Sequence, residues 1–178
     1  MSGGVLRFTA GSGQRNNVTA TRFVDAGVPK YRITDPYSTS ATAPQSGSRI
    51  RPGAGCTRVN DVTVKCPVAG ISRIVLTGGD QNDTLNASTI AIPVTLNGRG
   101  GMDTLTGGTR GDTLVGGADP DRFTARGGND TIRARNQDRD TSFNCGENAG
   151  DSDTVSADQT PNDPVADSPT NCEVVNKL

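Results

Sequence analysis

Gly107-Gly108-Thr109-Arg110-Gly111-Asp112-Thr113-Leu114-Val115 runs directly into Gly116-Gly117-Ala118-Asp119-Pro120-Asp121-Arg122-Phe123-Thr124, and then into Ala125-Arg126-Gly127-Gly128-Asn129-Asp130-Thr131-Ile132-Arg133. Each stretch has nine residues and places Asp two positions before one large apolar side chain. Upstream, Gly98-Arg99-Gly100-Gly101-Met102-Asp103-Thr104-Leu105 keeps that register, as does Gly78-Gly79-Asp80-Gln81-Asn82-Asp83-Thr84-Leu85. The apolar anchors fall at Leu76, Leu85, Leu96, Leu105, Leu114, Phe123 and Ile132, in steps of 9, 11, 9, 9, 9 and 9. A fixed short period is the signature of a solenoid. Nine residues are too few for a helical hairpin but suffice for one short strand and one tight turn. Two units make a coil of about 18 residues, alternate units build two sheets, and the anchors stack into a narrow core.

Composition agrees. Among 178 residues Leu, Ile, Val and Phe together number 33, and neither Trp nor His occurs. Such a chain cannot build a large apolar core, and no apolar run reaches the length of a membrane-spanning helix. Asp outnumbers Glu 17 to 2, beside 23 Gly, 22 Thr and 13 Asn, which favours strands and turns over helices. Without His there is no Ser-His-Asp triad, no papain-like Cys-His pair and no His-containing zinc site. The four cysteines, at 56, 66, 145 and 172, contain no C-x-x-C knuckle. The net charge of −1 conceals a gradient: residues 1–77 carry +7, residues 78–140 carry −2, and residues 141–178 carry −6. The basic end suits an acidic partner or a head-to-tail neighbour.

The expected organisation is an N-terminal β region over residues 1–75, a repeat solenoid over 76–140 and an acidic cap over 141–178. Residues 5–9, 18–24 and 31–34 read as short strands, and residues 36–48 as a low-complexity loop. Cys56 and Cys66 bracket a hairpin with Asn60-Asp61 near its tip. A two-residue turn there would pair residue 56 with 65, so a Cys56–Cys66 disulfide requires a three-residue loop or a bulge.

The nonapeptides resemble the hemolysin-type calcium-binding repeat family, whose unit is G-G-x-G-x-D-x-U-x. The flanks, Gly55-Cys56 through Ile71 and Asn144-Cys145-Gly146 through Asn171-Cys172-Glu173-Val174, are similar to small calcium-binding repeat proteins of actinobacteria. The resemblance implies an all-β chain with a parallel β-roll, a β-solenoid with two nonapeptides per coil. It also implies calcium between turns one coil apart, held by glycine-rich carbonyls and by the sixth-position Asp of both turns. The implied sites are Asp83/Asp103, Asp103/Asp121 and Asp112/Asp130, with Gly78, Gly98, Gly100, Gly107 and Gly116 in the turns that offer carbonyls. The chemistry fits, because calcium takes six to eight hard oxygens. Stacked strands about 4.8 Å apart would bring two carboxylates into a repulsion of roughly 3 kcal/mol at an effective dielectric near 20. A cation between them relieves it, so the roll should be loose without calcium and ordered with it.

Some positions depart from the family pattern. Gln81, Arg110 and Asp119 occupy the fourth position, where Gly is expected, and Ala125 and Arg126 replace the first two glycines of the last copy. Arg110 is placed to offer a guanidinium to the Asp112/Asp130 gap in place of an ion. Residues 87–95 hold no Asp, so the turn before Leu96 should bind no metal. After Ile132 the period breaks. Arg133, Arg135 and Arg139 alternate with Asp138 and Asp140 as surface ion pairs, Phe143 and Val155 extend the core, and Cys145–Cys172 closes the tail over the open end.

No turn offers a nucleophile with a base. Its paired carboxylates are repeated and equivalent, which suits ligands better than a glycosidase pair, so no enzyme is expected. Tyr31, Tyr37, Phe8 and Phe23 form no stacking platform, and no nucleic-acid partner is expected. Residues 1–10 hold no apolar leader core, yet disulfides and calcium suit the outside of a cell. The expectation is a calcium-binding structural protein at a virion surface, a capsid decoration or tail component of an actinobacterial phage. Its partners would be capsid or tail proteins, or itself. The alternatives are a secreted cell-surface or adhesion protein, and a detached repeat module of a larger exported protein.

Overall fold

Thr-Leu or Thr-Ile follows the Asp of most nonapeptides, and a β-branched residue beside an aliphatic one suits a half-buried pleated surface. In the computed structural model these residues form strands. The structure describes residues 4–11, 13–36, 55–134, 140–146, 151–157, 172 and 174–177. In chain order the strands are β1 (Gly4–Thr9), β2 (Asn17–Asp25), β3 (Val28–Thr34), β4 (Thr57–Asn60), β5 (Thr63–Pro67), β6 (Ile71–Thr77) and β7 (Thr84–Asn86). They continue as β8 (Val94–Arg99), β9 (Thr104–Thr106), β10 (Thr113–Gly117), β11 (Arg122–Thr124), β12 (Thr131–Ala134), β13 (Ser142–Asn144), β14 (Thr154–Ala157) and β15 (Val174–Lys177).

The chain is all-β, and its centre is a parallel β-solenoid. One sheet has the order β1-β6-β8-β10-β12-β14-β15, with every neighbouring pair parallel. The other runs β13-β11-β9-β7-β2 in parallel and then adds β3, β5 and β4 antiparallel. From β6 to β14 the chain alternates between the sheets with each successive strand. The anchors stack in register: Phe8, Leu76, Leu96, Leu114, Ile132 and Val155 in the first sheet, and Val18, Leu85, Leu105, Phe123 and Phe143 in the second. All are buried. The Phe123 and Phe143 rings stack with centroids 5.2 Å apart.

The coil stack starts early. β1 lies on β6 and β2 on β7, both in parallel, so these two strands belong to a first coil beneath the repeats. Asn16 stands two residues before Val18, where the repeats have Asp. The β2–β3 connection is a two-residue turn with Ala26 and Gly27 at φ 48° and 80°, the left-handed pair of a tight hairpin. β3 consequently begins at Val28, ahead of the expected strand.

Thr57 pairs with Lys65 and Arg58 with Val64, and the register then shifts before Asn60 pairs with Thr63. That irregularity is the bulge the cysteine spacing called for, and it aligns Cys56 with Cys66, which are bonded. The tip is Asp61-Val62, one residue later than Asn60-Asp61, and Asn60 Oδ1 accepts the Val62 N–H at 3.0 Å. Cys145 is bonded to Cys172, and Cys145 is fully buried. The loop at 37–48, the pairs involving Arg135, Asp138 and Arg139, and the tail at 158–171 lie outside the described residues.

Candidate metal centre

Each repeat turn ends on an Asp whose side chain points inward. Asp83, Asp103, Asp112, Asp121 and Asp130 are all at most 2% exposed. A buried carboxylate is costly unless its oxygens find partners. One oxygen finds the same partner throughout: Oδ1 accepts a backbone N–H from one coil earlier. Along one edge the donors and acceptors run Asn16 to Asp83, Asp83 to Asp103, Asp103 to Asp121 and Asp121 to Asp140, at 2.7–2.8 Å. Along the other they run Val94 to Asp112, Asp112 to Asp130 and Asp130 to Asp153, also at 2.7–2.8 Å. The expected pairs Asp83/Asp103, Asp103/Asp121 and Asp112/Asp130 are therefore adjacent rungs of two ladders. Two further rungs stand outside the expected set, and one of them, Asp140, is expected in a surface ion pair but is instead 5% exposed and accepts the Asp121 N–H. Asp153 was readable from Asp153-Thr154-Val155, whereas Asp140 lies three residues before Phe143 and breaks the register.

The second oxygen divides the turns into two kinds. In turns 78–83 and 107–112, Oδ2 accepts the N–H of the second residue, Gly79 or Gly108, at 2.5 Å. No residue of these two turns has positive φ. In turns 98–103, 116–121 and 125–130 the second residue is left-handed instead, with Arg99 at φ 84°, Gly117 at 120° and Arg126 at 83°. The fourth residue is left-handed too: Gly101, Asp119 and Gly128 at 93°, 73° and 97°. Two non-glycine residues held at such φ in one turn position is strain that a ligand-binding loop commonly stores. In two of these turns the buried Oδ2, of Asp103 and of Asp130, has no hydrogen-bond partner.

First-position glycine has a steric cause. A Cβ at Gly78, Gly98, Gly107 or Gly116 would run into Oδ2 of the Asp five residues on, 2.5 Å from Asp83 and 2.8 Å from Asp112. Gly100 differs, because a Cβ there would have Asp80 Cα as its nearest neighbour, at 3.9 Å.

Electrostatics single out the same two carboxylates. Burial pushes Asp103 up to about 8, helped by the charges of Asp121, Asp83 and Asp119. Burial pushes Asp130 up to about 8, helped by Asp112, Asp153 and Asp151. Asp112 rises only to about 6, because the N–H groups of Val94 and Gly108 oppose its burial. Asp119, at a position where the sequence pattern favours Gly, has a use: its Oδ2 accepts the Gly101 N–H at 3.0 Å. Asp151 does the same for Gly128 at 2.8 Å.

A hard divalent cation fits this donor set. The two buried oxygens are unpartnered, further carboxylates lie nearby, and all the donors are oxygens, which favours calcium or magnesium over softer metals. Among the described residues no three carboxylates converge on one point, so backbone oxygens must complete any coordination shell. The expectation for Arg110 is corrected. Its side chain is exposed and, among the described residues, pairs with neither Asp112 nor Asp130. Position four of that turn faces outward, and Gly108 already satisfies Asp112. In the turn before Leu96, which lacks Asp, Ala87 and Ile90 are fully buried.

Comparison with protein families finds one match, in four copies, over residues 75–89 and 106–138. It is to the RTX calcium-binding nonapeptide repeat. RTX nonapeptide repeats bind calcium, and the repeat is not itself catalytic. The matched residues include Asp83, Asp112, Asp121 and Asp130, while turn 98–103 falls between them. No curated protein and no solved structure matches the chain. Among the described residues no helix is long and apolar enough to cross a membrane.

Proposed function

We propose that the chain is a non-catalytic structural module that calcium stiffens outside the cytoplasm. The observation that carries this reading is the unpartnered, buried Oδ2 of Asp103, set in a strained turn one rung from Asp121. Bound calcium would supply positive charge between the two rungs, with Asp103 and Asp121 as carboxylate ligands and the turns at Gly98, Gly100 and Gly116 offering backbone oxygens. The protein's part is to hold both turns at one coil's spacing and to exclude water with the Leu105–Phe123 stack. Two disulfides support an oxidising location.

The place we propose is a virion surface, as a decoration or tail component of an actinobacterial phage, with capsid or tail proteins or further copies as neighbours. The outer face of β2, β3 and β5 supports contact with an acidic neighbour. There Arg32 lies 4.2 Å over the Phe23 ring, and Lys30 and Lys65 reach Asp25 at 3.0 and 3.3 Å. Metal analysis of purified protein, with Asp103→Ala as control, tests the calcium reading: wild type should retain calcium through gel filtration and the variant should retain less. Protein analysis of purified virions against culture supernatant tests the location. Recovery from supernatant alone would favour a secreted cell-surface protein.

A further inference from the structure

We propose that the antiparallel extension β3–β5–β4 is a docking face for the acidic C-terminal end of a second copy, so that copies join head to tail. The proposal builds on the reading of this face as a contact surface and names the neighbour. It needs neither bound calcium nor a virion.

The face is basic. Residues 25–34 and 57–67 hold Lys30, Arg32, Arg58 and Lys65 but only two acids, Asp25 and Asp61. Lys30 and Lys65 both reach Asp25, so one carboxylate serves two ammonium groups. Lys30, Arg58, Val59 and Lys65 line a recess of about 380 Å³ beside Asp25. The face is also apolar. Of the five large apolar side chains exposed among the described residues, three, Val24, Val28 and Val59, lie on the β2–β3 hairpin and on β4. Apolar side chains set among cations suit a protein partner better than a bare polyanion. β4 ends its sheet, and all four of its residues are exposed.

Charge and topology select the occupant. Residues 141–178 carry −6, and residues 158–171 hold three Asp and no Lys or Arg. The basic strands and the C-terminal strands stand at opposite ends of the stack. β5 and β13 are six strands apart in one sheet, and β14 and β15 extend the other sheet beyond β12. Six strand spacings come to roughly 29 Å, several Debye lengths at physiological salt. Opposite charges held at opposite ends of one stack therefore meet between molecules rather than within one. A contact between two different surfaces leaves one of each free in every pair, so it can propagate into rows of copies.

Sedimentation equilibrium of the full chain, in calcium, reads mass against protein concentration. It is run at about 0.01 M and about 1 M salt, between which the Debye length falls from about 30 to about 3 Å. The mass should grow past the dimer at low salt and return to that of one chain at high salt. Lys30→Gln with Lys65→Gln should weaken association about tenfold or more, and so should Asp158→Asn with Asp163→Asn and Asp167→Asn. Mixed one to one, the two variants should form a dimer and nothing longer, because each keeps one half of the contact. Circular dichroism checks that both fold, and Arg58→Gln with Val59→Ser serves if the lysine variant does not. Association that ignores salt, or that the lysine variant retains in full, would overturn the proposal. So would a wild type that stays monomeric throughout, which would leave the face to an acidic protein other than this chain. Calcium counted in the same samples tests the aspartate ladders separately.

Discussion

Adding calcium to the chelated protein at pH 7 should release protons, close to one for each ion bound at Asp103 or Asp130. Both carboxyls are pushed to about 8 by burial and by neighbouring carboxylates. A group titrating near 8 is about nine-tenths protonated at pH 7, and a carboxyl must lose its proton to coordinate a metal. Release should therefore be about one proton per ion at pH 7 and fall to about a tenth at pH 9. Calorimetric titration in two buffers of different ionisation enthalpy reads the number directly. The same numbers fix the pH dependence of the chelated protein. A carboxyl raised on folding favours the folded state while protonated, and that stability is lost as pH rises through the folded value. Moving one carboxyl from 3.8 to about 8 corresponds to roughly 6 kcal/mol. The chelated roll should thus be more stable near pH 5 than at pH 8, and saturating calcium should flatten or reverse that slope. A binding enthalpy independent of buffer at pH 7 would refute the reasoning, because it would mean that Asp103 and Asp130 are already ionised.

Gly98→Ala and Gly100→Ala should behave differently despite lying two residues apart. The first places a Cβ against Asp103 Oδ2 and Gly116 O and should destabilise by about 3 kcal/mol in urea unfolding. The second meets nothing closer than 3.9 Å and should stay within about 0.5 kcal/mol of wild type. Leu105→Ala removes a fully buried anchor from the core that the two sheets share. Thermal or urea unfolding should show a loss of about 3 kcal/mol.

Much of this was legible because two periodicities coincide. An Asp-Thr-apolar triplet every nine residues fixes which side chain faces in and which turn carries the charge. Leu85, Leu105 and Phe123 stack as that spacing requires. Asp153-Thr154-Val155 obeys the same rule after a gap in the period. The first coil was harder to see. Asn16-Asn17-Val18 has the amide version of the triplet after Gly11-Ser12-Gly13, with Asn in place of both Asp and Thr, so β2 is hard to read as a repeat although it stacks as one. The difference between the two kinds of turn is not written in residue type. Gly79 and Gly117 are the same residue at the same position, yet Gly79 turns its N–H onto Asp83 while Gly117 takes φ 120°. That choice depends on what stacks above and below each turn, which a single nonapeptide does not carry. Arg110 misled for a related reason: proximity in the repeat did not reveal that its position faces solvent.

The most direct test of the account is the melting temperature of the full chain at pH 7.5, in chelator and in calcium at about a hundred times its dissociation constant. Two sites should add roughly 5 kcal/mol, which for a chain of this size is a rise of about 10 °C or more. An identical melting temperature in both conditions would contradict it and leave the aspartate ladders as hydrogen-bonded structure alone.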